Sequence, residues 1–321
     1  MKAKHLVLAI LIAATPAFSA SYLVSFEKGL NLDSPPDLVP DGHLTGWSYN
    51  FVSKPDGRIE KRPGFARNST LTSLAPVPYE GGPAIFDNDR LMVMSGDQAQ
   101  WINQSLGTAI RDSAKLTGFM DKARAIYFDD AIYYAVQRDT TATVAGYVAD
   151  VWRFDLTTNA WGRWRADSLK VKDWGRYVAS ATRRSYLYYT GYGGAASNNV
   201  FLFDPDRTSD STNGAQVDIV SRAISKKFTA PTSNTLWTHY YVTIDAQNEA
   251  VVISATVEAP WGNTTATILS LSGAGNTRGQ PVQYRIPINL MGRSCQIQIV
   301  STGKGRCVVY PGVLYGDPRP Q

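Results

Sequence analysis

Residues 236–246 (LWTHYYVTIDA) and 249–260 (EAVVISATVEAP) alternate apolar and polar side chains over long runs. A period of two belongs to a strand with one face in a core and one in water. It does not fit a helix, whose faces repeat every 3.6 residues. The stretch VQYRIPINLMGRSCQIQIVSTGKGRCVVYPGVLYG (282–316) predicts two or three more strands. Residues 226–321 therefore read as a C-terminal β-sandwich-like or jelly-roll-like unit.

The same class extends upstream. Tyrosine (17) and tryptophan (8) are plentiful while strings of alanine, glutamate and leucine are absent, a balance that favours strands. With 44% hydrophobic and 18% charged residues the chain can build a core, and 321 residues suit one large all-β domain or two ordinary ones. Within residues 66–225, the segments AIFDNDRLMVMS (84–95), AIYFDDAIYYAV (125–136) and ASATRRSYLYYT (179–190) share one plan: a short strand, a polar turn, a strongly apolar strand. A second element follows each, in AQWIN (99–103), DVWRFDLTTNAWGRW (150–164) and NVFLFDPDRTSD (199–210). Units of this size suggest β-propeller-like repeats, whose small sheets bury their faces on one another. The alternative is a run of irregular β-meanders. Three or four units are few for a closed propeller, so closure would take strands from the lead-in, the C-terminal unit or another subunit.

Residues 21–65 form an extended lead-in, kept from helix by Pro35, Pro36 and Pro40, and end in a hairpin, GWSYNFVSKPDGRIEKR, with a Pro-Asp-Gly turn. Residues 1–20 (MKAKHLVLAILIAATPAFSA) have the layout of a secretory signal: two lysines, an apolar run from Leu6 to Ala14, Pro16 and small residues, with cleavage expected after Ser19 or Ala20. The run is roughly half the ~20 residues that span a bilayer.

Cys295 and Cys307 are expected to be separate thiols. If STGKG (301–305) is a hairpin loop, residue 307 faces 299, and a four-residue offset of ~13 Å exceeds disulfide reach. They lack the further ligands zinc requires.

The search for chemistry returns little. His43 and His239 have no nucleophile in a recognisable setting, and His5 lies in the signal-like segment. Asp204, Asp206 and Asp210 in DPDRTSDS lack the glycine and glutamate of a calcium loop and read as a polar turn. The glycines of GYGGAASNN (191–199) open no helix and so form no phosphate cradle. Asp129 and Asp130 are adjacent on a turn, where their side chains are expected to diverge. No catalytic residue, metal or cofactor is expected, and the chain is not expected to be an enzyme.

The net charge is +5, two units of it on Lys2 and Lys4, too little to argue for a dedicated nucleic-acid-binding protein. A local basic cluster remains: Arg58, Lys61, Arg62 and Arg67. By the two-residue period Arg58 and Arg62 share a face, with Lys61 on the other. Arg58, Arg62 and Arg67 could line a channel carrying DNA through phosphate attraction, or form a solvated strand or subunit salt bridges.

The run GLNLDSPPDLVPDGHLTGWSYNFVSKPDGRIEKRPGF (29–65) resembles the N-terminal segment of connector, nozzle (tail-hub) and DNA-stabilisation proteins of short-tailed bacteriophages. Gly42, Leu44, Asn50, Asp56, Gly57, Arg58, Lys61, Arg62, Pro63 and Gly64 stand where that pattern wants them. YRIPINLMGRSCQIQIVSTGKGRCVVYPGVLYG (284–316) resembles the last β-rich unit of the same proteins. The resemblance implies a virion structural protein without catalytic chemistry. It would form a homo-oligomeric ring of six copies among other connector or tail proteins, bounding the channel through which packaged double-stranded DNA passes without sequence specificity. It makes residues 56–65 a docking hairpin, with Gly42, Asn50, Asp56, Gly57, Arg58, Lys61, Arg62, Pro63 and Gly64 at the oligomer interface. The signal-like N-terminus departs from that family and leaves a second reading: an exported β-propeller module recognising a glycan or cell-surface partner, with Trp47, Trp152, Trp161 and Trp164 as stacking rings or core. A third reading, a propeller-type glycan-degrading enzyme, needs carboxylates converging roughly 5–10 Å apart.

Overall fold

The computed structural model describes residues 19–46, 48–67, 84–87, 90–95, 98–106, 109–110, 124–137, 149–165, 171–178, 184–191, 199–204, 207–212, 215–230, 234–273 and 280–319. The signal-like residues 1–18, Trp47 and most of the 191–199 loop fall outside them. No helix among the described residues is long and apolar enough to cross a membrane.

The chain is all-β, with blade-like meanders followed by a sandwich-like C-terminal unit. The lead-in contributes β1 (Ala20–Val24), β2 (Gly29–Leu30), β3 (His43–Leu44), β4 (Phe51–Ser53), β5 (Ile59–Lys61) and β6 (Gly64–Arg67). Three antiparallel meanders follow: β7 (Ala84–Asp87), β8 (Arg90–Ser95) and β9 (Gln98–Trp101); β10 (Arg124–Phe128), β11 (Ala131–Gln137), β12 (Ala149–Asp155) and β13 (Ala160–Arg165); and β14 (Val171–Val178), β15 (Ser185–Gly191) and β16 (Asn199–Asp204). After the short hairpin of β17 (Asp210–Thr212) and β18 (Ala215–Val217) come β19 (Ile219–Thr229), β20 (Thr235–Ala259), β21 (Gly262–Leu271), β22 (Val282–Gly292), β23 (Ser294–Val309) and β24 (Gly312–Pro318). The third meander begins with β14, upstream of the segment in its sequence plan; residues 179–182 lie outside the described residues.

The two alternating runs that predict separate strands are one 25-residue strand, β20. Its first half pairs with β22 on one side and β24 on the other; its second half pairs with β21 and β23. One strand thus joins four others in a single sheet. The change falls at a register irregularity between Gln247 and Glu249, where Asn248 has φ 54°. The bulge resets the alternation. Tyr240, Val242, Ile244 and Ala246 are buried before it, and Val251, Ile253, Ala255 and Val257 after it. Without the extra residue the second set would point to solvent. Each valine or isoleucine in these sets contributes about 1.5–3 kcal/mol on full burial.

STGKG is not a hairpin loop. It lies inside β23, which runs unbroken from Ser294 to Val309. Cys295 and Cys307 are separate buried thiols because they occupy distant points of one strand, opposite Val257 and Ala246 respectively.

The second meander is a middle layer. On β11, Ile132, Tyr134 and Val136 join Trp152, Phe154 and Trp161 in the large core shared with the C-terminal unit. The alternate residues Ala131, Tyr133 and Ala135 join Trp164, Leu187, Tyr189 and Phe203 in a second core against the third meander. This explains the near-continuous apolar run of AIYYAV: a strand covered on both faces has no polar side to show. The third meander borrows its fourth strand from the lead-in, with β6 antiparallel to β16 (Phe203↔Phe65).

Candidate functional site: a buried brace and an adjoining cleft

The β4–β5 hairpin does dock, but within its own chain. Its outer strand adds to the C-terminal unit through Glu60↔Val308 and Ile59↔Val309. Its turn closes with Gly57 N donating to Lys54 O (3.0 Å) and Lys54 N to Arg58 O (2.9 Å), and Gly57 holds φ 81°, a conformation glycine adopts without strain. The Gly57 carbonyl accepts from Phe26 N at 3.1 Å, tying the turn to the start of the lead-in.

Beyond the turn, two consecutive cations face opposite ways, as the two-residue period requires, and both are buried. Lys61 Nζ donates to Glu249 Oε1 (2.5 Å) and to the carbonyls of Gly303 (3.0 Å) and Gly305 (2.8 Å). All three ammonium protons are used. Glu249 is satisfied in turn by Gly305 N (2.6 Å) and the Ser301 hydroxyl. Burial pushes the Lys61 ammonium below the ordinary lysine range, and the Glu249 carboxylate pulls it partly back.

Arg62 is 1% exposed and forks onto Asp210, Nη1 to Oδ1 at 2.9 Å and Nη2 to Oδ2 at 2.6 Å. Such bidentate charge-assisted bonds are strong and fix orientation. Its Nε reaches Asn50 Oδ1 (3.0 Å) and Nη1 also reaches Pro63 O (2.9 Å).

Asn50 completes the brace. It sits at φ 61°, its Nδ2 donates to Arg165 O (2.7 Å) and Val220 O (2.6 Å), and its Oδ1 also accepts from Arg165 N (2.7 Å). One amide therefore links the hairpin, β13 and β19. Gly64 must be glycine: a Cβ there would lie 2.0 Å from Ser209 O. Gly42 is buried against Glu27, with φ 84°.

These positions correct several expectations. Gly42, Asn50, Gly57, Lys61, Arg62 and Gly64, expected at an oligomer interface, are buried by contacts inside the subunit. Arg62 does not line a DNA channel, because its charge is neutralised by Asp210 in the interior. Arg58 stays at the surface, 3.3 Å from Asp56 and over the Tyr310 ring. Arg67 stands on β6 opposite Phe201, and its side chain lies outside what the structure describes. Asp210 is not part of a solvated turn, and Trp152, Trp161 and Trp164 are core residues. His43 meets Pro40 O (3.3 Å), and burial lowers its pKa; His239 Nε2 lies 3.1 Å from an Arg285 nitrogen. No metal-binding cluster occurs among the described residues.

Beside the brace opens a cleft with two lobes, of about 580 and 570 Å³. Pro63, Asp129, Tyr133 and Trp164 line both. The first lobe reaches the hairpin and Arg207; the second runs along Tyr127, Asp130, Arg184 and Tyr186. Its floor is the second core, where Tyr133 meets Trp164 edge-on at 5.2 Å and Trp164 meets Phe203 at 5.3 Å. Arg153 is held by Asp155 (2.9 Å) and by the Tyr133 hydroxyl (3.2 Å). Burial alone would raise the Asp155 carboxyl, but Arg153 and the amides of Thr157 and Thr158 hold it below the usual range. Asp129 and Asp130 do not diverge from a common space, since both line the second lobe. The signal for them was present: two aspartates occupy a two-residue hairpin turn where Asn-Gly is the favoured pair. Glu249, Asp210 and Arg207 carried no such signal.

No family model matches the chain, and no curated protein matches it. Among solved structures the chain is similar to an exo-β-1,3-galactanase from Phanerochaete chrysosporium, at 7% identity over 79% of this chain and 69% of that one, TM-score 0.19. It is also similar to a glycoside hydrolase family 43 arabinoxylan arabinofuranohydrolase from Bacillus subtilis, at 8% identity over 87% and 67%, TM-score 0.19. A third match is the structure of infectious bursal disease virus Gx strain, at 9% identity over 93% and 69%, TM-score 0.24. No role or reaction passes to this chain from likenesses this distant. The expectation that the chain is not an enzyme is corrected to an open one: glycoside hydrolases are among its matches, and these assign no activity either way.

Proposed function

We propose that the chain is a structural component of the virion of a short-tailed phage, a connector or nozzle (tail-hub) subunit assembled as a ring around the DNA channel. The observation that carries this reading is where the resembling residues sit. Asn50, Gly57, Lys61, Arg62 and Gly64 are the cross-brace that joins the lead-in to β13, β19, β23 and the third meander's sheet. The resemblance therefore rests on the residues this fold depends on, and the subunit it describes is stiffened from within, as a channel wall requires.

Assembly has a surface to work with. Strand β21 is mostly exposed, pairs only with β20 among the described strands, and contains no charged residue in GNTTATILSL. Trp261, at the tip of the β20–β21 hairpin, is 67% exposed. Uncharged free edges are what sheet proteins usually protect, and here a second copy of the chain supplies the cover. Native mass spectrometry and electron microscopy of the full chain test the proposal. Closed rings, and presence of the chain in purified particles, are expected. A chain that stays monomeric at every concentration and is missing from particles would refute it.

A further inference from the structure

We infer that the two-lobed cleft between the hairpin, the β10–β11 turn and β15 is an oligosaccharide-binding site. The inference goes beyond the ring assembly and does not rest on it.

Size comes first. Each lobe lies within the roughly 300–1,000 Å³ of small-molecule sites. An extended ligand can run through both lobes, because Pro63, Asp129, Tyr133 and Trp164 border each of them.

Its chemistry selects a polyhydroxylated ligand. On the acceptor side Asp129 makes no hydrogen bond or ion pair among the described residues, while Asp130 takes the Tyr127 hydroxyl at 2.8 Å. On the donor side Arg207 has a buried Nη1 without a hydrogen-bond partner among the described residues. Arg306 and Lys54 are already occupied by Glu60, at 3.2 and 3.5 Å. A phosphate-rich polymer would meet Asp129, Asp130 and Glu60; a simple cation would meet eight basic side chains. Sugar hydroxyls both donate and accept, so they satisfy the two kinds of group together. Tyr127 and Tyr186 on the wall provide flat apolar faces with polar tips, suited to a sugar ring.

Backbone strain points the same way. Asp129 and Asp130 fill a two-residue turn closed by the Phe128↔Ala131 pair, with φ 50° and 52°. Positive φ at two consecutive non-glycine residues costs stability that Asn-Gly would not, and such strain collects at binding sites. The turn keeps two carboxylates at the cleft where a better-folding pair was available.

The turn supplies its own test. The double substitution Asp129→Asn/Asp130→Gly matches the favoured turn and removes both carboxylates. Full-length protein and this variant are titrated calorimetrically with a panel of neutral and uronate-containing hexasaccharides, and with a DNA hexanucleotide. The expected result is saturable binding of at least one hexasaccharide by the parent protein. Affinity should fall at least tenfold in the variant, while its Tm rises by about 2 °C. Tyr186→Ala should weaken binding with little change in Tm. Overturning results are no hexasaccharide bound by the parent, undiminished binding by a folded double variant, or tighter binding of the hexanucleotide than of any sugar.

Discussion

The C-terminal unit and the meanders reach the same all-β class by different physical routes. In the unit built on β20 and β23 the inward face is largely aliphatic and alternates along each strand, and bulges keep it in phase. Its strands pair almost wholly with one another. The second and third meanders bury a cluster of rings, Tyr133, Trp164, Tyr189 and Phe203, with centroids 5.2 to 5.4 Å apart along the chain of contacts. The third meander completes its sheet only with β6, a strand from the lead-in. A sheet whose alternation is self-sufficient can close locally. One that depends on a distant strand and a buried ion pair needs the whole chain in place.

The most damaging way to break this contrast is Arg62→Ala. It leaves Asp210 buried without its counter-ion and Asn50 Oδ1 without one donor, an uncompensated loss worth about 3–5 kcal/mol. Hydrogen exchange should show β6, β16 and β17 losing protection while β20 and β23 keep theirs. Uniform loss across both regions would mean that they form one cooperative unit.

Lys61→Ala attacks the other side of the hairpin. Stranding Glu249 in the bulge of β20 should cost a similar about 3–5 kcal/mol in denaturant unfolding, this time centred on the C-terminal unit. The double variant Lys61→Met/Glu249→Leu should recover most of the loss, because a packed apolar pair carries no desolvation cost. Failure to recover would show that the bonds of Glu249 to Ser301 and Gly305 matter more than the ion pair.

Thiol chemistry gives a milder readout. Burial pushes Cys307 up to about 12 and raises Cys295 as well, so neither is a thiolate at neutral pH. A thiol-specific reagent at pH 8 should label neither in the native protein and both after denaturation. In Arg62→Ala the two should remain unlabelled, since both lie in the unit expected to stay closed.

The smallest effect is a pH dependence of the meander side. Asp155 has its folded-state pKa below its unfolded value of about 3.9. Its contribution to stability is therefore full above about pH 4 and is lost as pH falls through the lower folded value. Asp155→Asn should flatten the acid limb of the unfolding midpoint below pH 4 and leave neutral pH nearly unchanged.

Much of the fold was legible in the residues. The period-two runs announced the strand segments of β20, the apolar run of AIYYAV announced a strand, and the Pro-Asp-Gly turn announced the hairpin. The site was legible only in part. Lys61 and Arg62 read as a basic patch because the acids near them in sequence, Asp56 and Glu60, pair with other cations. The partners of Lys61 and Arg62 stand 188 and 148 positions away. Asp129 and Asp130 were visible as a pair, but a turn seen alone does not show that two sheets and a hairpin converge around it.

What the chain decides by itself is local: which segments are strands, which face of each is apolar, where glycine must stand. Those properties follow from side-chain alternation and backbone sterics, which act over a few residues. Whether a lysine is a surface charge or a buried strut depends on what is brought against it. Desolvation and ion pairing act through space between segments that share no sequence signal, so the brace, the borrowed strand β6 and the cleft exist only in the folded molecule.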